Sequence, residues 1–270
     1  MTTSSLVSPT GKPITLKPVR ANAGIQADYR KKLEALIAEM NDSIVYWLSA
    51  AYKANSPVAL DEAPALAMRR AVGQMASRWQ KNFDRGAERL ATWFAQRSKN
   101  YADVALTGIL KEAGFSVEFK MTAPMQDAYQ AVIGEQVGLI RSIASQHLTQ
   151  VQTVVMQSVQ QGRDLGALTK QLQAQFGVTK RRAAFIARDQ NNKATATITK
   201  TRQQQLGITQ ARWRRSSAGK EPRPEHVHFN DETYDIARGM WSKVDNEYVW
   251  PGTPINCRCT SSPVIPGFAQ

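Results

Sequence analysis

The feature that most constrains the fold is the spacing of apolar residues, which recur at steps of three and four through the first half of the chain. This period places apolar side chains along one face of a helix. It predicts one helix over residues 26–55 and a second that begins at Leu66 and ends before Gly108 or Gly114. A third helix is predicted over residues 122–162. Helices of this length indicate an elongated bundle or a stalk.

The stretch that follows predicts two shorter helices. The first runs over residues 164–176 and is closed by Gly177. Thr179 caps the second, which ends at Gly207. This second helix carries many basic residues, and they are predicted to form a broad positive surface: Arg181, Arg182, Arg188, Lys193, Lys200 and Arg202.

The composition and the apolar pattern of the sequence change after Gly207. Residues 208–215 alternate enough to predict a strand, and the remainder is rich in Pro, Gly, Asn and Asp. The fold class predicted is therefore mainly α, with an elongated helical N-terminal body and a small loop-rich α+β C-terminal module. We place a flexible N-terminal arm at residues 1–24, the long-helix body at 25–162 and the module at 163–270. The arm is predicted to be flexible because a segment rich in Ser, Pro and Gly has too few apolar residues to form a core.

Positive charge is concentrated in one part of the chain. The formal net charge is +13, and residues 163–223 hold 14 Lys or Arg against three acids. Such a surface attracts phosphates or acidic proteins at long range, although a solvated helix face would have the same composition. Eight residues are predicted to contact nucleic acid: Arg181, Arg182, Arg188, Lys193, Lys200, Arg212, Arg214 and Arg215.

Two pairs of metal-ligating residue types lie in the tail, His226 with His228 and Cys257 with Cys259. Residues at positions i and i+2 of a strand face the same way, so each pair would give two ligands to one tetrahedral zinc ion. The spacing is not that of a common zinc finger, and the same residues also fit a role in hydrogen bonding and packing alone. A structural zinc ion and a metal-free module both remain open, and no other cofactor is expected.

Several functional classes lack their sequence signals. Two cysteines separated by one residue do not form a disulfide framework, which fits a reducing compartment. The chain has no signal-peptide pattern and no apolar run of about 18 residues, so neither standard export nor a membrane span is expected. It also has no Walker-type phosphate loop, nucleophile elbow or H-E-x-x-H helix, and we do not expect an enzyme.

Five motifs occur in a fixed order along the second half of the chain. They are R-A-A-F-I-A-R-D at 182–189, Gly-Ile at 207–208, Trp213, G-K-E-P-R-P-E-H at 219–226 and P-I-N-C-R-C at 254–259. In this order they resemble the phage Mu F-like minor head proteins. The resemblance marks as structural motif residues Trp213, Arg223, His226, Asn256, Cys257, Arg258 and Cys259.

The resemblance covers roughly residues 133–264 and includes two departures. The family commonly has His-Pro before Asn-Cys-Arg-Cys, where this chain has Pro254 and Ile255. It often has Asn-Gly after the R-P-x-H segment, where this chain has Asn230 and Asp231. The first departure removes a candidate polar ligand and weakens any metal or catalytic role.

The resemblance implies a virion component of a tailed bacteriophage, present in few copies in the head and assembled in the host cytoplasm. Its implied partners are the portal protein, capsid or scaffold proteins and double-stranded DNA bound without sequence preference, but no membrane. A DNA-binding regulator of the host would explain the charge but not the long helices. An alternative function is a metal-assisted nuclease or other DNA-processing enzyme, with the tail ligands near a metal and an acid as general base. The residues in that alternative are His226, His228, Cys257, Cys259 and either Asp231 or Glu225.

Overall fold

The computed structural model describes residues 6–8, 11–54, 64–162, 164–217, 221 and 223–267. Within these residues the elements follow the order β1 (Ile14–Thr15), α1 (Ala23–Ala54), α2 (Pro64–Glu112), α3 (Ala123–Gln160), α4 (Leu165–Gln205), β2 (Gln210–Arg214), α5 (Pro224–His228), β3 (Thr233–Asp235), β4 (Met240–Ser242), β5 (Glu247–Val249) and β6 (Thr260–Ile265). The predicted class, mainly α with a small sheet-containing C-terminal module, is confirmed. Parts of the predicted arm and residues 219, 220 and 222 of the fourth motif lie outside the described residues.

The first three helices confirm those predicted from the apolar period. Asn22 starts α1, because its side-chain oxygen accepts a hydrogen bond from the backbone N–H of Ile25 at 3.1 Å. Gly114 follows the end of α2 in the left-handed region, with φ 88°, and its N–H donates to the carbonyl of Lys111 at 3.0 Å. No helix in the described ranges has a stretch long and apolar enough to cross a membrane.

The fourth helix is continuous, whereas two helices were predicted in its place. Gly177 lies inside α4. Thr179 is not a cap, because its hydroxyl donates to the carbonyl of Gln175 at 3.0 Å, a bond made within a helix. Glycine inside a helix costs about 1 kcal/mol relative to alanine, too little to end a helix that is packed on both sides of it. Gly207 ends α4 as predicted, with φ 71°.

The chain divides into two compact units, each built from separate segments. The helical unit comprises Ala27–Thr92 and Gly134–Ala187, and the sheet unit comprises Met1–Gln26, Trp93–Ile133 and Arg188–Gln270. The domains predicted above are continuous in sequence, and their boundaries stay a prediction.

Within the helical unit, apolar faces are buried and two polar pairs accompany them. The Tyr29 hydroxyl donates to the side-chain oxygen of Gln136 at 3.0 Å. The Trp79 indole N–H donates to the Ser43 hydroxyl at 3.0 Å. Buried apolar residues of this unit include Leu33, Ile37, Met40, Ile44, Phe83, Ile140, Ile143, Leu168 and Ile186.

Within the sheet unit, four strands form an antiparallel sheet in the order β1-β6-β2-β3, and β4 pairs with β5 in a separate ribbon. Trp213 of β2 lies opposite Ser261 of β6 and is fully buried. Its indole is the largest side chain of an apolar cluster that also contains Ile208, Ala211, Tyr234, Ile236, Val249, Cys257 and Cys259. The predicted strand at residues 208–215 is thus the centre of this core.

Residues 11–22 differ from the predicted flexible arm. Ile14 and Thr15 pair with β6, and the N–H of Leu16 donates to the carbonyl of Pro263 at 2.9 Å. Leu16 and Val19 are buried in a second apolar cluster with residues of α2. Two well-placed apolar side chains are enough to dock an extended segment, even though its Pro and Gly content resembles that of a free one.

A buried arginine connects α4 with α2 in the sheet unit. The Arg202 side chain is 1% exposed, and its guanidinium donates to both carboxylate oxygens of Asp103, at 2.7 and 2.8 Å. It also donates to the Lys120 carbonyl and to the Gln205 side chain, each at 2.7 Å, and stacks on the ring of Phe119. Arg202 therefore lies in the interior and does not contribute to the basic surface predicted for this helix.

Replacing Arg202 with Met is expected to lower the free energy of unfolding by about 1–3 kcal/mol, because the Lys120 carbonyl would lose its charged donor and the partly buried Asp103 would keep only its ion pair with Lys99. Urea denaturation of the purified chain measures this change. Arg215→Met is the matched control, since Arg215 is exposed, and we expect a change within about 0.5 kcal/mol. Equal losses in the two variants would contradict a structural role for the buried pair.

A buried histidine links the stability of the helical unit to pH. His147 is 1% exposed and its Nδ1 lies 2.8 Å from the hydroxyl of Thr179. Its Nε2 has no hydrogen-bond partner in the described part of the chain. Burial lowers the pKa of His147 to about 4, from 6.5. Between pH values of about 4 and 6.5, the unfolded chain therefore holds a proton on His147 that the native state has released.

Acidification is expected to destabilise the protein through His147. The unfolded chain binds a proton on this histidine that the native state does not bind. The free energy of unfolding is therefore highest above pH 6.5, the unfolded pKa, and decreases as the pH falls toward about 4. The expected decrease between pH 7.5 and pH 5 is about 2 kcal/mol. Urea denaturation at the two pH values tests this, and His147→Gln should remove that part of the loss. His228→Gln, which changes an exposed histidine, should leave the loss unchanged. An identical pH dependence in wild type and His147→Gln would refute the assignment.

Candidate functional site

Three of the four predicted metal ligands meet in the core of the sheet unit. The Nδ1 atom of His226 lies 3.6 Å from the sulfur of Cys257 and 3.7 Å from the sulfur of Cys259. All three residues are buried, and their ligand atoms lie within 4.8 Å of one another. The chemistry of this set is that of a soft metal site with one nitrogen and two sulfurs.

His228 is not part of this cluster, and the strand predicted for the His-x-His segment is wrong. The segment forms the short helix α5, in which residues two positions apart point in different directions. His226 therefore faces the core while His228 is exposed. Pro224 at the start of α5 explains the difference, since proline fits the first turn of a helix.

Hydrogen bonds to the two sulfurs favour a shared negative charge. The Cys257 sulfur accepts the N–H groups of Gly252 and Cys259, each at 3.4 Å. The hydrogen bond from the Cys257 thiol, helped by those from His226 and Ser216, lowers the pKa of Cys259 to about 4 against the effect of burial. The same contact, with burial and the Cys259 charge, raises the pKa of Cys257. These contacts favour the thiolate form at Cys259 over that at Cys257.

Aromatic rings fix the orientation of the imidazole. Trp213 meets His226 edge to face with ring centroids 5.1 Å apart, and Phe229 stacks on it at 6.1 Å. The Nε2 atom of His226 is buried without a hydrogen-bond partner among the residues that the structure describes. Ring contacts therefore hold Nδ1 toward the sulfurs.

The motifs that carry the resemblance contact one another in the fold. The backbone N–H of Asn256 donates to the carboxylate of Asp189, and its side-chain oxygen accepts from Arg188 at 3.2 Å. Arg223 donates to the carbonyl of Ile255 at 3.1 Å. The helix motif and the R-P-x-H segment thus both hold the P-I-N-C-R-C turn, which explains why residues so far apart in sequence occur together.

Asp231 occupies the position where the family pattern has glycine. Its φ is 68°, a left-handed conformation that glycine adopts without strain and that aspartate tolerates better than most residues. Its carboxylate forms an ion pair with Arg214. Glu225, the other acid considered as a general base, accepts hydrogen bonds from the Ser242 hydroxyl at 2.7 Å and the Lys243 N–H at 2.6 Å. Both acids are engaged in contacts of the module itself.

The predicted nucleic-acid residues are distributed over different environments. Arg181 is exposed and Arg182 donates to the Ser142 hydroxyl at 2.9 Å, both within the helical unit. In the sheet unit, Lys193 pairs with Asp189 at 3.8 Å. Lys200 lies 3.9 Å from the centre of the Trp250 ring, and burial lowers its pKa. Structural contacts thus engage five of the eight residues: Arg182, Arg188, Lys193, Lys200 and Arg214, which pairs with Asp231.

A basic cleft in the sheet unit contains two of the predicted nucleic-acid residues, Arg214 and Arg215. It has a volume of about 620 Å³ and is also lined by Lys17, Arg20 and Arg258. Arg212 is exposed on the same strand but is not among the lining residues. Lys17 and Arg20 were not predicted as contact residues because their segment resembles a free arm in composition. Arg258 was assigned only to a structural motif.

The polar side of the cleft suits an anion. Asn192, Ser216, Ser217, Asn230, Thr260 and Ser262 supply hydrogen-bonding groups between the basic side chains. Lys17 is exposed and pairs with Glu112 at 2.8 Å, and Arg20 and Arg215 are exposed. Positive charges around a polar cleft offer the charge-assisted hydrogen bonds that phosphate oxygens accept.

Comparison with known proteins agrees with the motif order. Residues 149–262 match the family model described as "Phage Mu protein F like protein". A protein of Haemophilus influenzae described as "Uncharacterized protein" is 28% identical over 265 residues, which cover 94% of this chain and 56% of the relative. The chain thus spans little more than half the length of that relative. No solved structure matches. Residues 149–262 are therefore similar to the phage Mu protein F-like family, whose members take part in phage head morphogenesis.

Proposed function

We propose that this chain is a minor head protein of a tailed bacteriophage, which assists procapsid assembly at the portal and contacts the packaged double-stranded DNA. The module at residues 149–262 supports the head role. The basic cleft is the observation that carries the DNA contact. In this proposal the protein assembles in the host cytoplasm and remains in the virion, with the portal and with capsid or scaffold proteins as its protein partners.

The composition of the cleft favours the DNA backbone over base edges. Its lining offers arginines, a lysine, hydroxyls and amides, the groups that most often bind phosphate oxygens. The cleft belongs to the sheet unit, in which Arg214 lies on β2 and Thr260 begins β6. Contacts of this kind neutralise phosphates and release counterions, so they give binding that depends on salt and not on sequence.

The head assignment predicts that the chain is a particle component at low copy number. Quantitative mass spectrometry of infected-cell lysates, proheads and mature virions measures its ratio to the major capsid protein. We expect the chain in proheads at a small fraction of the capsid protein. Absence of the chain from both proheads and virions would contradict the proposed head role.

Neutralising the cleft is expected to weaken DNA binding and flatten its salt dependence. In the triple variant Lys17→Gln, Arg20→Gln, Arg215→Gln, the slope of log K against log salt concentration should fall in magnitude by about 2–3, since each lost phosphate contact contributes about 0.9. Fluorescence anisotropy with a labelled duplex at several salt concentrations measures the slope. All three side chains are exposed, so the fold should survive.

A control variant of equal charge separates a local contact from general attraction. Lys31→Gln, Arg89→Gln, Lys170→Gln also removes three exposed positive charges, all from the helical unit. We expect a clearly smaller change of slope in this control. Equal changes in the two triple variants, or tight binding by wild type that salt does not weaken, would count against the cleft as the DNA site.

A further inference from the structure

We infer that the sheet unit binds one zinc ion through three protein ligands, His226 Nδ1, Cys257 Sγ and Cys259 Sγ. This inference is independent of the head and DNA proposals, because it rests on the buried cluster alone. It also differs from the four-ligand arrangement suggested by the sequence, since His228 takes no part.

The distances between the ligand atoms fit a zinc ion at their centre. Zinc–sulfur bonds of about 2.3 Å and zinc–nitrogen bonds of about 2.0–2.1 Å at tetrahedral angles separate nitrogen from sulfur by about 3.6 Å. The observed separations from His226 Nδ1 are 3.6 and 3.7 Å. Both agree with the separation that a shared zinc ion requires.

The surroundings of the sulfurs are those that stabilise metal-bound thiolates. Backbone N–H groups of Gly252 and Cys259 both point at the Cys257 sulfur. Gly252 reaches this position with φ 88°, and a side chain there would lie 3.2 Å from the carbonyl of Cys259. The turn before the cysteines is therefore shaped to bring its backbone to the sulfur. Such donors lower the cost of holding negative sulfur in an apolar core.

The ion would act as a cross-link in a region with little regular structure. It would join α5 to the segment just before β6. The three strands that lie between α5 and β6 in the sequence, β3, β4 and β5, are each only three residues long. His226 and the two cysteines lie 4%, 6% and 7% exposed, which leaves little access for a substrate. A stabilising role follows from this burial, because binding to the native state alone raises its stability.

The test uses the full chain, purified under reducing conditions and freed of metal by chelation. Cobalt(II) titration should give thiolate-to-cobalt charge-transfer absorption and tetrahedral ligand-field bands that saturate at one equivalent, and zinc should displace the cobalt. Zinc in a thousandfold excess over its Kd should raise the Tm by about 10 °C. These measurements on wild type need no variant that folds poorly.

Two variants separate the three-ligand site from the alternatives. Cys259→Ser should reduce the charge-transfer absorption and weaken zinc binding at least tenfold, whereas His228→Gln should bind like wild type. Equal losses in both variants would overturn the ligand set. A reduced wild-type chain that shows no cobalt bands and no zinc-dependent Tm shift would overturn the site itself, as would an intact mass two hydrogens lighter that persists in the presence of reductant.

Discussion

The sheet unit depends on the buried guanidinium of Arg202. A charge in this position is tolerated only because the carboxylate of Asp103 and two further acceptors satisfy it. These acceptors come from α2, from the segment before α3 and from the end of α4 itself, so one side chain sets the position of all three. The chain leaves α4 at Gly207 and enters β2 within a few residues. The placement of Trp213, and with it that of the cysteine cluster, follows from where α4 ends.

Much of the fold was predictable from periodicity, and the errors have physical causes. The apolar period gave α1, α2 and α3 because long amphipathic helices repeat the same signal many times. Gly177 was mistaken for a helix end because a local penalty of about 1 kcal/mol cannot be compared, from sequence, with the tertiary contacts that exceed it. Arg202 was placed on the surface because sequence shows a charge but not its partner, Asp103, which lies far away along the chain. The segment around Leu16 was read as free for the same reason.

Three of the four residues predicted as metal ligands lie together, but their geometry was not predictable. The His-x-His and Cys-x-Cys pairs pointed to His226 and the two cysteines, whereas the strand assumed for His226 and His228 is a helix that turns the second histidine away. The basic cleft was found in part through Arg214 and Arg215. Lys17 and Arg20 could not be added, because pairing between β1 and β6 is a long-range contact that leaves no pattern in either segment. Sequence alone also does not show which basic residues of a positively charged stretch form structural ion pairs. Lys193 pairs with Asp189, whereas Arg215 is exposed.

The pairing of β1 with β6 has a consequence for fragments of this protein. β6 lies between β1 and β2, and β1 comes from the opposite end of the sequence. A fragment that begins after residue 22 would keep β2, β3 and β6 but leave the outer edge of β6 without a partner. Unpaired backbone N–H and C=O groups at such an edge accept an extended segment from another chain. Proteolytic loss of the first segment would thus leave an open edge on β6 that an extended segment of a neighbouring molecule can pair with, and the sheet would become a site for assembly.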